Sequence, residues 1–278
     1  MLPATRGLRK EMLPLFYRGT AGSPVLAPVV HHVLRTLEGA GVHEMVLVVG
    51  TDGAMVRRYF ETDLGFLHRH RQHPERLRET EALHALLGRL RLHWAVQREP
   101  RGFGHAVLRA APFLGPDRFL LHAADAVLLE PSPGKLPGRM LALLEQEEAD
   151  AVLLVRRVKD PRRYGVVEGP RREGRHGPYL EVNRMVEKPT HPESPWAATA
   201  VYAFTGELLP RLRAKAREHP RELEVTDGIN GLLSAGLRVL AVPLEPHDGE
   251  WLSVGSPEGY LRALERTHRF ASTGTLAG

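Results

Sequence analysis

The run MVLVVG, Met45–Gly50, sets the reading of this chain. It is short, apolar, rich in β-branched residues and stopped by a glycine. That pattern predicts a strand buried on both faces, as in a parallel sheet. Upstream, PVLAPVVHHVLRTLEGAG (Pro24–Gly41) has apolar residues at helical spacing and a glycine stop. Downstream, LHWAV (Leu92–Val96) predicts a strand, GHAVLRAAPFL (Gly104–Leu114) a helix, and RFLLHAAD (Arg118–Asp125) a strand that ends in a carboxylate. A helix over PGRMLALLEQEEAD and a strand over AVLLVRRV (Ala151–Val158) follow. Strand alternating with helix predicts an α/β fold, Rossmann-like, with a mostly parallel mixed sheet flanked by helices.

Beyond Val158 the texture changes. YGVVEG, YLEVNRMVEKP and AATAVYAF read as short strands between Gly and Pro turns, a small β-rich insertion. Two helices come next, TGELLPRLRAKAREH and VTDGINGLLSAG, then the strand RVLAVPL and the strand-to-helix stretch EWLSVGSPEGYLRALERTHRF. Residues 271–278 read as a frayed tail. Nothing resembles a linker, so residues 1–270 are expected to form one domain. Open α/β sheets bind ligands beyond the carboxyl ends of their strands, which puts Asp125 and the stretch QREPRGFGHA at one crevice.

Composition narrows the function. The chain has 278 residues, no cysteine and a formal charge of +5. Disulfides and thiolate metal sites are therefore excluded, and a cytoplasmic location is expected. No apolar run reaches the ~18–20 residues of a membrane span, so no membrane partner is expected. The arginines are scattered; the densest basic stretch is LHRHRQHPERLRE, Leu67–Glu79. It reads as a solvated loop and helix face rather than a nucleic-acid stripe, and no nucleic-acid partner is expected. Scattered arginine also suits an anionic small substrate.

The stretches MLPATRGLRKEMLPL, QREPRGFGHAV, RYGVVEG, MVEKP, EVTDGIN and GSPEGYLRA occur in that order along nearly the whole chain. Together they resemble the nucleoside-diphosphate-sugar pyrophosphorylases, most closely the bacterial UTP–glucose-1-phosphate uridylyltransferases. The resemblance implies a nucleotide-diphospho-sugar transferase fold, with a nucleotide half over about residues 1–158 and a sugar-phosphate half over about 159–270. It implies UTP and glucose 1-phosphate as substrates, UDP-glucose and pyrophosphate as products, Mg2+ as cofactor, and a homo-oligomer, dimer or tetramer. Two anions must meet for in-line attack, so such a site needs cationic side chains, a carboxylate for the metal and small residues at close approaches.

The resemblance assigns the residues. Lys10 would lie near the nucleotide phosphates; its other reading is a surface lysine before an apolar run. Gln97 and Gly102 would hold the base, since an amide offers a donor and an acceptor and glycine admits a close ring. Their other reading is a polar strand end and a turn glycine. Asp125 would hold Mg2+, as a strand-end carboxylate suits a hard cation; its other reading is a turn or cap aspartate. Gly165, Glu187 and Lys188 would form the sugar-phosphate pocket, against a surface ion pair on a strand edge. Lys10, Asp125 and Lys188 carry the catalytic expectation. Asp227 would support the pocket or start a helix.

Two departures stand beside these matches. The family begins with a strand and a glycine-rich loop ahead of MLPAT, and neither is in this sequence. At WLSVG the family usually has aspartate where this chain has Ser253. A hydroxyl is a poor substitute for a carboxylate on Mg2+, and strand alternation turns Glu250 to the face opposite Ser253. Weak or absent turnover is thus expected of residues 1–278 alone. The competing expectation is a catalytically degenerate relative that binds a nucleotide sugar or sugar phosphate in a regulatory or scaffolding role.

Overall fold

The computed structural model describes residues 3–61, 65, 68–69, 72, 74–218 and 222–276. Part of the basic stretch Leu67–Glu79 and the last two residues of the tail lie outside them. The strands are β1 Pro14–Arg18, β2 Pro24–Pro28, β3 Glu44–Val49, β4 Arg91–Val96, β5 Phe119–His122, β6 Ala126–Leu129 and β7 Ala151–Arg157. They continue as β8 Gly165–Glu168, β9 Arg171–Gly174, β10 Gly177–Glu181, β11 Arg184–Glu187, β12 Trp196–Phe204, β13 Val239–Pro243 and β14 Glu250–Ser253. The helices are α1 Val29–Gly39, α2 Ala54–Phe60, α3 Pro74–Leu87, α4 Phe103–Ala110 and α5 Lys135–Gln146, then α6 Leu208–Glu218, α7 Val225–Ser234 and α8 Pro257–Thr273.

The central sheet has eight strands, in the order β11-β8-β12-β7-β13-β10-β9, with β5 added on β12. Strand β7 shows why it forms. Ala151 to Val155 are all fully buried, and the period of two sends Ala151, Leu153 and Val155 into one core and Val152 and Leu154 into the other. Helices α4, α6 and α7 cover the first face, and α5 covers the second.

The mixed α/β class stands, but the expected parallel majority does not. Only β3 with β4 and β7 with β13 pair in parallel among the described strands. The other pairs are antiparallel, and the long strand β12 runs against β7, β8 and β5 at once. The β-rich segment is therefore not a side module; β12 sits inside the main sheet.

Two further boundaries differ from expectation. Residues 24–28 are a strand, not the start of the helix, because Pro28 holds extended backbone and α1 begins only at Val29. That strand closes a hairpin with β1. The tail is ordered further than expected: α8 runs through Thr273 and is closed by Gly274 in left-handed conformation, since Ala271 is fully buried and holds the last turn down.

Strand β3 has β4 as its only strand partner among the described residues, and β5 has only β12. An apolar cavity of about 480 Å3 lies between them, lined by Val46, Leu47 and Val48 on one side and Phe119, Leu120 and Leu121 on the other. Strands β3 and β4 form a sheet of their own, set apart from the main sheet at this cavity.

Candidate active site

Asp125 follows β5 in a short turn. The turn is pinned twice: Ala123 donates its N–H to the Ala200 carbonyl at 2.9 Å, and Val254 donates its N–H to the Asp125 carbonyl at 3.0 Å. The Asp125 side chain is part-exposed and has no hydrogen bond or ion pair among the described residues. Ser253 sits opposite Ala126 on β14, and its hydroxyl accepts the Gly255 N–H at 3.1 Å. Glu250 is turned to the other face, where Arg262 and Arg266 hold it. Asp248 pairs with Arg139. Neither Glu250 nor Asp248 is therefore free to join Asp125.

Among the described residues no group of three His, Cys, Asp or Glu side chains is placed to hold a metal. A metal bound wholly by protein does not fit. A Mg2+ ion usually keeps several waters and takes one or two carboxylates plus substrate phosphates, and Asp125 alone fits that mode.

The structure brings Gln97 and Gly102 together. Gln97 follows β4, its N–H bonded to the Val49 carbonyl at 2.8 Å. Its side-chain Nε2 donates to the Gly102 carbonyl at 3.0 Å and lies 3.1 Å from His105 Nδ1. The amide donor is thus used to shape the loop, which leaves Oε1 for a ligand. Gly102 has φ +89°, and a Cβ there would collide with the Leu223 carbonyl. Glycine is required here by protein as well as by any ring.

Gly165 and Glu187 are direct cross-strand partners on β8 and β11. A Cβ on Gly165 would lie 2.6 Å from the Met185 methyl and 3.2 Å from Glu187 Oε2, so glycine keeps this corner open. Glu187 Oε2 accepts the Thr226 hydroxyl at 3.0 Å, and Oε1 lies 3.4 Å from Lys188 Nζ. The ion pair on the strand edge is therefore present. Lys188, however, has φ +44°, a left-handed conformation rare for a lysine, with its N–H held by the Tyr164 carbonyl. Such strain gathers at functional positions. Asp227 accepts the Glu224 N–H at 2.8 Å within a capping box, which makes it a helix-start carboxylate.

Lys10 opens a 3-10 turn, Lys10–Met12. No hydrogen bond or ion pair among the described residues joins Lys10 or Asp125 to the other site residues. Its neighbour Arg9 pairs with Asp52 beyond the end of β3.

Glu224 and Thr226 were not singled out from sequence. Burial, then the negative charge of Glu187, pushes the Glu224 carboxyl up, against the Phe103 N–H it accepts. The available signal was EVTDG itself, whose Glu and Asp three residues apart mark a helix start.

Residues 2–269 match the nucleotidyl transferase family. The chain belongs to that family. It is 27% identical over 234 residues to the UTP–glucose-1-phosphate uridylyltransferase YngB of Bacillus subtilis strain 168, covering 82% of this chain and 73% of that protein. It is 26% identical to a putative UTP–glucose-1-phosphate uridylyltransferase of the same strain, over 95% of this chain and 90% of the relative. Among solved structures, an apo UDP-glucose pyrophosphorylase superposes with a TM-score of 0.82 at 22% identity, over 97% of this chain and 93% of the other. A UTP-bound UGPase from Acinetobacter baumannii gives 0.78 at 24%, over 99% and 90%. At these identities the structures establish a nucleotidyl transferase fold of the UDP-glucose pyrophosphorylase type.

Proposed function

We propose that this nucleotidyl transferase joins UTP and glucose 1-phosphate. A phosphate oxygen of the sugar phosphate attacks the α-phosphorus, the bond to the β-phosphate bridge breaks, and pyrophosphate leaves with that electron pair. The observation that carries the reading is the corner built from Gly165, Glu187 and Lys188. It combines an open glycine, a carboxylate oriented by Thr226 and a lysine in left-handed backbone. Glu187 accepts sugar hydroxyls there, and Lys188 meets the sugar phosphate as a point charge. Gln97 and Gly102 hold the uracil edge, and Lys10 neutralises the nucleotide phosphates. Asp125 holds Mg2+, which when bound neutralises phosphate charge. The nucleotide half thus spans about residues 1–158 and the sugar-phosphate half about 159–270.

The reading extends to a cytoplasmic homo-oligomer, dimer or tetramer. Leu261 on α8 and Leu26 on β2 are large apolar side chains more than half exposed, on elements that pack together. No helix of the described residues is long and apolar enough to cross a membrane. A second reading, a binding protein without turnover, is favoured by Ser253 and by the removal of Glu250 to Arg262 and Arg266.

The test is pyrophosphate release from UTP and glucose 1-phosphate with Mg2+, run beside calorimetric titration with UDP-glucose. Turnover that Asp125→Asn abolishes supports the enzyme. Binding without turnover supports the second reading, and absence of both removes the ligand assignment. Repeating the assay with dTTP decides the base.

A further inference from the structure

The base loop and the sugar corner lie in different halves of the chain, yet one short segment touches both. Leu223 donates its N–H to the Arg101 carbonyl at 3.0 Å. Its own carbonyl accepts the N–H groups of Gly104 at 2.8 Å and His105 at 3.3 Å. A Cβ on Gly104 would lie 2.7 Å from the Glu224 carbonyl, so loop and segment are in backbone contact. The Glu224 carboxylate takes the Phe103 N–H and feels the charges of Glu187 and Lys188. Two residues on, the Thr226 hydroxyl orients Glu187.

The segment is firm rather than loose. Leu223 is 2% and Thr226 7% exposed. The capping box of Glu224 and Asp227 fixes the start of α7 on it. The base loop cannot shift without pulling on Leu223 and Glu224, and Glu187 cannot reorient without breaking its bond to Thr226.

We infer that Leu223–Thr226 couples the two substrate subsites, with Glu224 and Thr226 as positioning residues, so that a sugar phosphate held at Glu187 and Lys188 raises the affinity of the base loop for the nucleotide. The inference rests on the proposed function and deepens it. The sign follows from shared order: the first ligand fixes the segment, and the second binds to a loop already set. Coupling between two sites is reciprocal, so the nucleotide raises sugar-phosphate affinity by the same factor.

The experiment is calorimetric titration of the full chain with α,β-methylene-UTP and Mg2+, with and without saturating glucose 1-phosphate. The methylene bridge blocks turnover, so only binding is read. The expected result is a Kd lowered about fivefold or more by the sugar phosphate. Thr226→Val and Glu224→Gln should each reduce that factor towards one while both ligands still bind. The first removes the bond to Glu187, and the second alters the charge facing Phe103. A merely structural role would lower melting temperature and leave the factor intact. Binding of both ligands without coupling overturns the inference and leaves the proposed function standing. Coupling that survives both variants shows that another path carries it, which also overturns the inference. If neither ligand binds, the proposed function falls and the inference falls with it.

Discussion

Ala123 hangs its N–H on the carbonyl of Ala200 at 2.9 Å, and Ala200 is an alanine in left-handed backbone, φ +57°. The bond places the turn that carries Asp125 directly on a bulge of β12, where the register with β7 shifts between Ala198 and Tyr202. Ahead of the bulge β12 pairs with β8, and after it with β5. One irregularity therefore lets a single strand serve both the sugar-phosphate half and the strand leading to Asp125.

A left-handed conformation costs an L-residue about 1–2 kcal/mol, and glycine avoids it at a loss of about 0.4–1 kcal/mol through its freer unfolded chain. Ala200→Gly is therefore expected to be neutral or to stabilise by up to about 1 kcal/mol. Ala200→Val, β-branched at the same φ, should destabilise by about 2 kcal/mol or more. Urea unfolding of the two variants beside the parent chain checks both signs. A loss of stability in the glycine variant would mean that the methyl packs in a way that outweighs the strain.

Asp125 predicts the opposite separation, of activity from stability. Its side chain has no partner among the described residues, so Asp125→Asn should change unfolding free energy by less than about 0.5 kcal/mol. On the proposed function, pyrophosphate release should fall by about 100-fold or more, because the variant would lose the charge offered to the metal. Equal losses in both measurements would make Asp125 a structural turn residue.

The elements legible in sequence are those whose side chains decide their state alone. The continuous apolar runs of β3 and β7 read as strands, and α1 and α4 carry clear helical stripes. Burial on both faces holds for β7 from Ala151 to Val155, whereas Val46, Leu47 and Val48 of β3 are only half-buried where they line the cavity. Strand pairing was not legible, because it depends on which edges meet: Trp196–Phe204 is a run of small and aromatic residues that reads the same at an edge or at the centre. The separation of the β3–β4 pair from the main sheet is likewise invisible in the runs themselves. In the site, Gly165, Glu187 and Lys188 could be named because their motifs are local. Thr226 could not, since its bond to Glu187 spans 39 residues of sequence.

Gly102 is held by conformation and by contact together. Any side chain at φ +89° is strained, and a Cβ would also meet the Leu223 carbonyl. Gly102→Ala is expected to destabilise by about 2–4 kcal/mol and, on the proposed function, to weaken nucleotide binding directly and sugar-phosphate binding through Leu223–Thr226. Separate calorimetric titrations with UTP and glucose 1-phosphate read both losses. An unchanged glucose 1-phosphate affinity would mean that the push on Leu223 does not reach the sugar corner.

Stability against pH has two opposed sources. Burial lowers His31 to about 3, His32 to about 4 and His122 to about 4, from an ordinary 6.5. These groups charge more readily in the unfolded chain, so the stability they allow is complete above pH 6.5 and is lost as pH falls towards their folded values. Glu130 does the reverse. Burial lifts its carboxyl to about 7 from 4.5, although the Gly134 and Leu136 N–H groups donate to it. Its contribution is complete below pH 4.5 and is lost as pH rises through about 7. For these four groups alone, between those limits the unfolded chain takes up three protons on histidine while the folded chain holds one on Glu130. The net of two gives a fall in stability on acidification of up to about 3 kcal/mol per pH unit. Glu130→Gln removes the opposing term and should steepen that fall, while His122→Asn should flatten it. Urea midpoints measured from pH 8 down to pH 5 test both. A parent chain whose stability stays flat or climbs over that range would mean that the three histidines charge freely in the folded state.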